Sequence, residues 1–156
     1  MHIAVSFDIV RHKPRRYIES MPEKISTTLY EILYVSTLAP EAPLSVVGDI
    51  ASQARLANAE RDITGLLIFD GMRFCQQIEG GQKQVLALLE RIRRDTRHFN
   101  LQVLHHGELA SRRFRRFSLA YCVVEDDDVL ERMERMDGRA ALEAFGGLLA
   151  GLDLES

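Results

Sequence analysis

The stretch that decides the fold runs from Asp62 to Gly80 and reads DITGLLIFDGMRFCQQIEG. Its two halves are rich in β-branched, aromatic and leucine side chains, which are the residue types that favour strands. Between them lies Asp70-Gly71, a dipeptide that readily adopts the positive φ angles of a tight hairpin turn. We therefore predict two antiparallel strands at the centre of a sheet.

Gln76 is the unusual residue of this hairpin. The period of two in a strand places it on the same face as Phe74 and Ile78, which we expect to be buried. A buried amide must find partners, because each lost hydrogen bond costs roughly 1–3 kcal/mol. A polar group should therefore lie over the middle of the sheet, close to Gln76.

Length, composition and charge bound the class of protein. The chain has 156 residues, of which 46% are hydrophobic, enough for one globular domain with its own core. The net charge of −3 gives no overall reason to expect a nucleic-acid partner. The charge is uneven, however: residues 1–28 lean basic, whereas the chain from Glu125 onward is strongly acidic. Such asymmetry is typical of a solvated face or of an interaction surface.

The cysteine and histidine residues show no metal-ligand spacing. Cys75 and Cys122 lie far apart in apolar, strand-like runs, so we predict reduced thiols in the core. For His98, His105 and His106 we predict structural or surface roles. No apolar run approaches the ~18 residues of a membrane span, and the N-terminus lacks a signal-peptide pattern. We expect a cytoplasmic protein that does not contact a membrane.

Three regions are predicted along the chain: an N-terminal extension at 1–28, a domain at 29–124 and a C-terminal helical extension at 125–156. His2–Val10 could form a strand, but the polar, proline-broken segment Arg11–Arg16 follows it. For this reason we hold the N-terminal extension apart from the domain.

Within the domain, strands and helices alternate. The predicted elements are a strand at Leu29–Leu38, a helix at Leu44–Asn58, the hairpin at 62–79, a helix from Gln82 to about Arg97, and strands near 101–107 and 115–124. The order β-α-β-β-α-β-β predicts an α+β fold of the ferredoxin-like type, a mixed sheet with two helices on one face. In that arrangement the first strand lies beside the third. Tyr34 and Gln76 then become neighbours on the helix-covered face.

The C-terminal extension is predicted to form two amphipathic helices. The first begins at Asp127 or Asp128 and carries Val129, Met133 and Met136 on one side, while the second spans residues 139–152. Their apolar stripes need a surface to cover. Either the free face of the sheet or a second protomer could supply it.

A candidate site follows from the polar residues that this fold brings together. Tyr34, Asn58 and Gln76 place a phenol and two amides between helices and sheet, with Arg91 nearby. Amides donate and accept hydrogen bonds at once, so they suit a heteroaromatic ring edge that alternates carbonyls and ring nitrogens. Apolar side chains from the two helices could close over the faces of such a ring: Ile50 and Ile92. Equally, Tyr34 and Gln76 could simply bond each other or the backbone.

The same residues carry a family resemblance. Its motifs are Tyr34-Val-Ser36, Asn58 followed by Ile63-Thr-Gly65, Gln76 with Ile78-Glu-Gly80, and Arg97-His98. Together they resemble the BLUF family, blue-light sensors that use FAD, over roughly residues 30–124. The spacings from Tyr34 to Asn58, from Asn58 to Gln76 and from Gln76 to Arg91 agree with the family pattern.

The resemblance implies an FAD cofactor between the two helices, with its polar edge turned toward the sheet. Asn58 would bond the pyrimidine edge and Arg91 the neighbouring carbonyl or ribityl region. Ile50 and Ile92 would sandwich the ring.

The resemblance also implies a photochemical role for two residues. In the family, blue light drives electron and proton transfer from the tyrosine to the flavin through the glutamine, here Tyr34 and Gln76. The pair then recombines with the glutamine's hydrogen bonds rearranged, which shifts the flavin absorption to the red until the change decays thermally. Phenylalanine at position 34 or leucine at position 76 should abolish the response.

The chain departs from the family pattern in the last strand. The family usually has a tryptophan there, two residues before a methionine, and at these positions this chain has Phe117 and Leu119. We assign both to the relay of the signal, with its route and the lit-state lifetime left open, because phenylalanine cannot donate a hydrogen bond. The preceding Arg112, Arg113, Arg115 and Arg116 are predicted to form a solvated basic loop, with contact to the cofactor's diphosphate or a partner as alternatives.

The overall prediction is a photoreceptor rather than an enzyme. Its C-terminal helices would pass the light signal to an unidentified downstream protein or to a homo-oligomer. Two rivals share the ferredoxin-like fold. An RNA-binding module would need spaced aromatics that Arg73–Ile78 lacks, and an acylphosphatase-type enzyme would need a glycine-rich phosphate loop that Val35–Pro40 does not supply.

Overall fold

The computed structural model of the protein describes residues 2–6, 28–125 and 127–152. The strands within these ranges are β1 (His2–Ser6), β2 (Leu29–Leu38), β3 (Thr64–Phe69), β4 (Arg73–Gly81), β5 (His98–Leu109) and β6 (Leu119–Val123). The helices are α1 (Val46–Glu60), α2 (Gln82–Arg93), α3 (Asp127–Met133) and α4 (Gly138–Ala150). The predicted linker Arg11–Arg16 lies outside the described residues.

The strands form one mixed sheet in the order β1-β6-β3-β4-β2-β5. Strand β2 lies between β4 and β5 and is antiparallel to both, and β3 pairs antiparallel with β4 and parallel with β6. The predicted ferredoxin-like α+β fold is confirmed, including the pairing of the first strand of the domain with the third. Strand β1 adds an edge to the same sheet by pairing with β6, whereas the prediction holds residues 1–28 apart from the domain.

The central hairpin depends on two glycines. Gly71 has a φ of +101°, and the Asp70 carboxylate accepts the backbone N–H groups of Met72 and Arg73, which closes the turn. At Gly65 a Cβ atom would overlap the carbonyl oxygen of Gln77 on the neighbouring strand. Only glycine allows β3 and β4 to approach this closely.

The two faces of the sheet bury separate sets of side chains. Toward α1 and α2 lie residues such as Ile32, Tyr34 and Ile78, which pack with the buried stripe of α2. Toward α3 and α4 lie Leu33, Val35, Leu66, Ile68 and Cys75, packed against Leu130, Met133, Ala141 and Phe145 of those helices. The C-terminal helices therefore cover the free face of their own sheet, one of the two surfaces that the sequence allowed.

Some element boundaries differ from the prediction. Helix α2 ends at Arg93 rather than near Arg97, and the Asp95 carboxylate accepts the backbone N–H of Arg97 in the turn that follows. Strand β6 begins at Leu119 rather than at residue 115. Residues 110–118, which we call the β5–β6 loop, are held by side chains of other strands instead. No helix formed by the described residues is long and apolar enough to cross a bilayer.

Candidate functional site

Tyr34 and Gln76 face each other across β2 and β4. They are paired in register, both are almost fully buried, and the Tyr34 hydroxyl donates a hydrogen bond to Gln76 Oε1. This is the direct contact that the sequence left open. It uses only the oxygen of the amide, because Gln76 Nε2 is buried and has no partner among the described residues.

Asn58 presents a second unpaired atom from the opposite side. It lies in the last turn of α1 and is fully buried. Its Nδ2 donates to the backbone carbonyl of Ser118 at 2.7 Å, while its Oδ1 has no partner within the described residues. Buried polar atoms without partners are rare in native proteins, since each costs about 1–3 kcal/mol. An unpaired donor and an unpaired acceptor therefore point to a bound polar group.

A cavity of about 190 Å³ lies between α1, α2 and the sheet, and both unpaired side chains line it. All of the residues that the sequence assigned to cofactor binding line this cavity: Tyr34, Ile50, Asn58, Gln76, Arg91 and Ile92. The volume is below the roughly 300–1,000 Å³ of whole-ligand pockets, so it suits a planar ring rather than an entire dinucleotide.

The rim of the cavity is charged. Arg91 is exposed there, whereas Arg97 is held by Asp95 and by Gln53 Oε1 at 2.8 Å. The hydrogen bonds from Arg97 lower the pKa of Asp95, and Asp95 in turn raises the pKa of Arg97. Arg91 therefore remains the cation with no described ion pair at this rim, free to meet an anionic or carbonyl oxygen.

Burial keeps the interior groups neutral. It raises the pKa of the Tyr34 phenol well above its usual range, and the nearby Cys75 and Asp95 add to the effect. Burial also raises the pKa of the Cys75 thiol to about 12, in line with the predicted inert core cysteines. Tyr34 is thus a neutral phenol that can give up a proton only to a specific acceptor.

The comparison with known families shows which kind of protein carries this site. The profile of the family described as BLUF, sensors of blue-light using FAD, matches residues 29–120. The chain belongs to the BLUF family. The family consists of sensors, so this domain is not itself an enzyme, and neither of the two rival functions that share this fold is favoured.

Relatives and solved structures agree with the BLUF assignment. The blue light- and temperature-regulated antirepressor BluF of Escherichia coli is 31% identical over 106 residues, which cover 66% of this chain and 26% of that protein. A photoactivated adenylate cyclase subunit beta of Euglena gracilis is 33% identical over 86 residues, 55% of this chain and 10% of that protein. The chain thus spans only a small part of these curated relatives.

A solved BLUF structure supports the fold as well. The dark-state structure of BlrB superimposes with a TM-score of 0.67 at 25% identity, covering 80% of this chain and 96% of that one. The ferredoxin-like arrangement around the cavity is therefore shared along nearly the whole of BlrB.

The cavity residues of this BLUF domain fit a flavin ring. A flavin edge carries an N–H between carbonyl groups and an acceptor nitrogen beyond them. The unpaired Asn58 Oδ1 is an acceptor and the unpaired Gln76 Nε2 is a donor, so the two atoms complement such an edge. Ile50 and Ile92 come from different helices and line the cavity with apolar side chains, which suits the faces of such a ring.

The two predicted relay residues lie on opposite sides of the sheet. Leu119 is buried in the cluster beneath α1, with Leu67, Phe69 and Phe74. Phe117 is buried on the other side, its ring 5.7 Å from that of Phe114 in the cluster covered by α3 and α4. Neither residue lines the cavity. Their role in signalling remains a prediction.

Two of the four arginines of the basic loop have partners that the prediction of a solvated loop did not include. Arg112 donates to the Asp62 carbonyl and to Thr64 Oγ1, and Arg113 pairs with the Glu31 carboxylate. These partners are far away in sequence, but one signal was available: Glu31 and Glu79 are charged residues inside strands that otherwise read as buried.

The described residues contain no group of acids, histidines and cysteines suited to a metal ion.

His98 has the structural role that the sequence predicted. Its ring bonds Ser36 Oγ at 2.8 Å on one side and the Ile92 carbonyl at 2.6 Å on the other. It therefore connects the end of α2 to β2, beside the cavity.

Proposed function

We propose that this BLUF domain binds FAD non-covalently and senses blue light through a rearrangement of hydrogen bonds around Gln76. The observation that carries the proposal is the pair of buried, unpaired atoms that line one cavity, Gln76 Nε2 and Asn58 Oδ1. No neighbour in the described chain satisfies them, and a flavin edge has the groups that would.

Each residue of the cavity has a part in holding the ring. Asn58 Oδ1 would accept the ring N–H, and Gln76 Nε2 would donate to an acceptor on the same edge. Ile50 and Ile92 would pack on the two ring faces and exclude water. Arg91 at the rim would neutralise the carbonyl or ribityl oxygens, and the phosphates would lie outside the small cavity.

The light response would then depend on Tyr34 and Gln76. When bound, FAD supplies a chromophore that absorbs blue light and accepts an electron. Tyr34 would release an electron and a proton together, because its raised pKa disfavours loss of the proton alone. Gln76 already accepts the Tyr34 hydroxyl, so it lies on the proton path. Both particles return to Tyr34, and the Gln76 amide ends with donor and acceptor exchanged.

The output of this domain is proposed to reach a protein partner or a homo-oligomer through α3 and α4. The supporting observation is that both helices pack directly on the reverse face of β2, β3 and β4. Tyr34 lies on β2 and Gln76 on β4. An antirepressor and a cyclase subunit among the relatives make a protein effector reasonable. The cytoplasmic location remains a prediction.

Reconstitution tests the proposed function. The purified chain, mixed with FAD or with FMN and freed of unbound flavin, should be yellow and should show a reversible red shift of its absorption under blue light. A colourless preparation that takes up neither flavin would contradict the proposal.

A further inference from the structure

Two buried carboxylates lie on the reverse face of the sheet, away from the cavity. Glu31 on β2 is 2% exposed and Glu79 on β4 is fully buried. Gln77 lies between them and donates from Nε2 to Glu79 Oε1 at 2.9 Å and to Glu31 Oε1 at 3.2 Å. Buried carboxylates are costly unless they are paired and hydrogen-bonded. Their remaining partners should therefore be held firmly in place.

Two of those partners lie on strands: Thr64 Oγ1 donates to Glu79 Oε2 at 2.8 Å, and His105 Nε2 lies 3.4 Å from Glu31 Oε2. The others come from the β5–β6 loop. The backbone N–H of Arg113 donates to Glu79 Oε1 at 3.0 Å, and that of Phe114 donates to Glu79 Oε2, also at 3.0 Å. The Arg113 guanidinium donates to both oxygens of Glu31, at 3.0 and 3.2 Å. Burial alone would raise the pKa of Glu31, but the bonds from Arg113 and Gln77 outweigh it and lower that pKa.

The loop then crosses to the cavity side of the sheet. Four residues after Phe114 comes Ser118, whose carbonyl accepts Asn58 Nδ2 at 2.7 Å and whose hydroxyl donates to the Arg55 carbonyl at 3.1 Å. This contact uses one of the two N–H donors of the Asn58 amide nitrogen. It thereby fixes the orientation of the amide, and Oδ1 has no partner among the described residues.

We infer that Glu31, Gln77, Glu79 and Arg113 form a loop latch that positions the Ser118 carbonyl, and through it the Asn58 amide that faces the cavity. None of the four lines the cavity, so they are positioning residues. The Phe117 side chain anchors the loop by packing alone, since it has no polar atom. The polar anchoring of the loop comes from the latch, from Ser118 itself and from Arg112, which donates to Thr64 Oγ1 and to the Asp62 carbonyl. The consequence for the light response rests on the proposed function; the effect on Asn58 does not.

A second ion pair on the same face supplies a matched control. Arg73 Nε lies 3.1 Å from Glu134 Oε1, and both side chains are largely buried, at 18% and 17% exposure. This pair joins the start of β4 to the end of α3 and does not contact the loop. Breaking it should cost stability without releasing Ser118.

The experiment compares Arg113→Met with Arg73→Met in the full chain, and Arg113→Lys with both. The first measurement is the NMR signal of the Asn58 side-chain amide, whose protons Ser118 protects from solvent exchange. We expect Arg113→Met to speed this exchange roughly tenfold, the factor that corresponds to about 1.4 kcal/mol, which is the order of one hydrogen bond to a charged group. Arg113→Lys, which keeps the charge, should recover part of the protection, and Arg73→Met should leave it unchanged.

The second measurement is the thermal recovery of the red shift after illumination. Arg113→Met should speed recovery while Arg73→Met should not, even where both lower the melting temperature equally. Equal Asn58 exchange in Arg113→Met and Arg73→Met would overturn the loop latch. If the chain takes up no flavin, the proposed function fails, and the Asn58 exchange still decides the latch.

Discussion

The buried amides that line the cavity on one face of the sheet differ from the buried carboxylates on the other face. On the cavity face, Gln76 Nε2 and Asn58 Oδ1 have no partner among the described residues. On the reverse face, all four carboxylate oxygens of Glu31 and Glu79 accept hydrogen bonds from the chain itself. Gln77 Oε1 on the reverse face also has no partner among the described residues, but Gln77 does not line the cavity. The difference that matters is that the unpaired atoms of Gln76 and Asn58 belong to residues lining a cavity, where a ligand can reach them.

Replacing Tyr34 gives the largest expected effect. Tyr34→Phe removes the phenol that donates to Gln76, so the red shift should be lost while flavin is still bound. The matched control is Tyr30→Phe. Tyr30 belongs to the same strand and face, but its hydroxyl bonds His106 and it does not line the cavity. The light-minus-dark absorption difference spectrum measures the red shift of both variants. A red shift that survives in Tyr34→Phe would show that Tyr34 is not needed for the response.

Replacing Asn58 should weaken flavin binding without abolishing the fold. Asn58→Ala removes the acceptor at the ring edge, and leaving one buried group unpaired costs roughly 1–3 kcal/mol, which is about 5- to 150-fold in affinity. Gln53→Ala, at the exposed rim, should change the affinity little. Titration with FAD monitored by fluorescence quenching measures both. Equal affinities of Asn58→Ala and the unsubstituted chain for FAD would contradict the role of Asn58 in flavin binding.

The smallest expected effect comes from the reverse face and is a change in how stability declines in acid. The pKa of Glu31 is lowered in the folded state, so its charged form stabilises the fold above the usual pKa of a glutamate. That contribution is lost as the pH falls through the folded-state pKa. Glu31→Gln should therefore flatten the decline of stability below about pH 4.5, the ordinary value for this group.

Urea unfolding between neutral pH and pH 3 measures the effect of Glu31→Gln. The control is Glu60→Gln, because Glu60 is 77% exposed in its contact with Arg61 and should leave the pH profile as it is. A Glu31→Gln profile parallel to that of the unsubstituted chain would show that the carboxylate is not held by its partners.

Local patterns in the sequence were enough to predict much of the fold. The alternation in β2 and β4 placed Tyr34 opposite Gln76, and the Asp70-Gly71 turn set the hairpin between them. These features depend on residues close together in the chain, where periodicity and turn chemistry act directly. All six residues expected at the cofactor line the cavity. Their roles came from the predicted fold together with the resemblance to the BLUF family.

The parts that sequence reasoning missed depend on distant pairings. Arg113 pairs with Glu31, 82 residues away, and its backbone N–H donates to Glu79, 34 residues away. The loop sequence by itself therefore indicates only a solvated basic stretch. The split of Phe117 and Leu119 between the two faces has a similar origin. A continuous strand would place both on one face, but β6 begins only at Leu119.

The most direct test of the central claim compares adjacent residues of β4 that point to opposite faces. Gln76→Leu removes the unpaired amide at the cavity, while Cys75→Ala changes a fully buried neighbour on the reverse face. The measurement is the light-minus-dark absorption spectrum of each flavin-loaded variant. The account predicts no red shift in Gln76→Leu and an unreduced red shift in Cys75→Ala. A red shift of ordinary size in Gln76→Leu would contradict it.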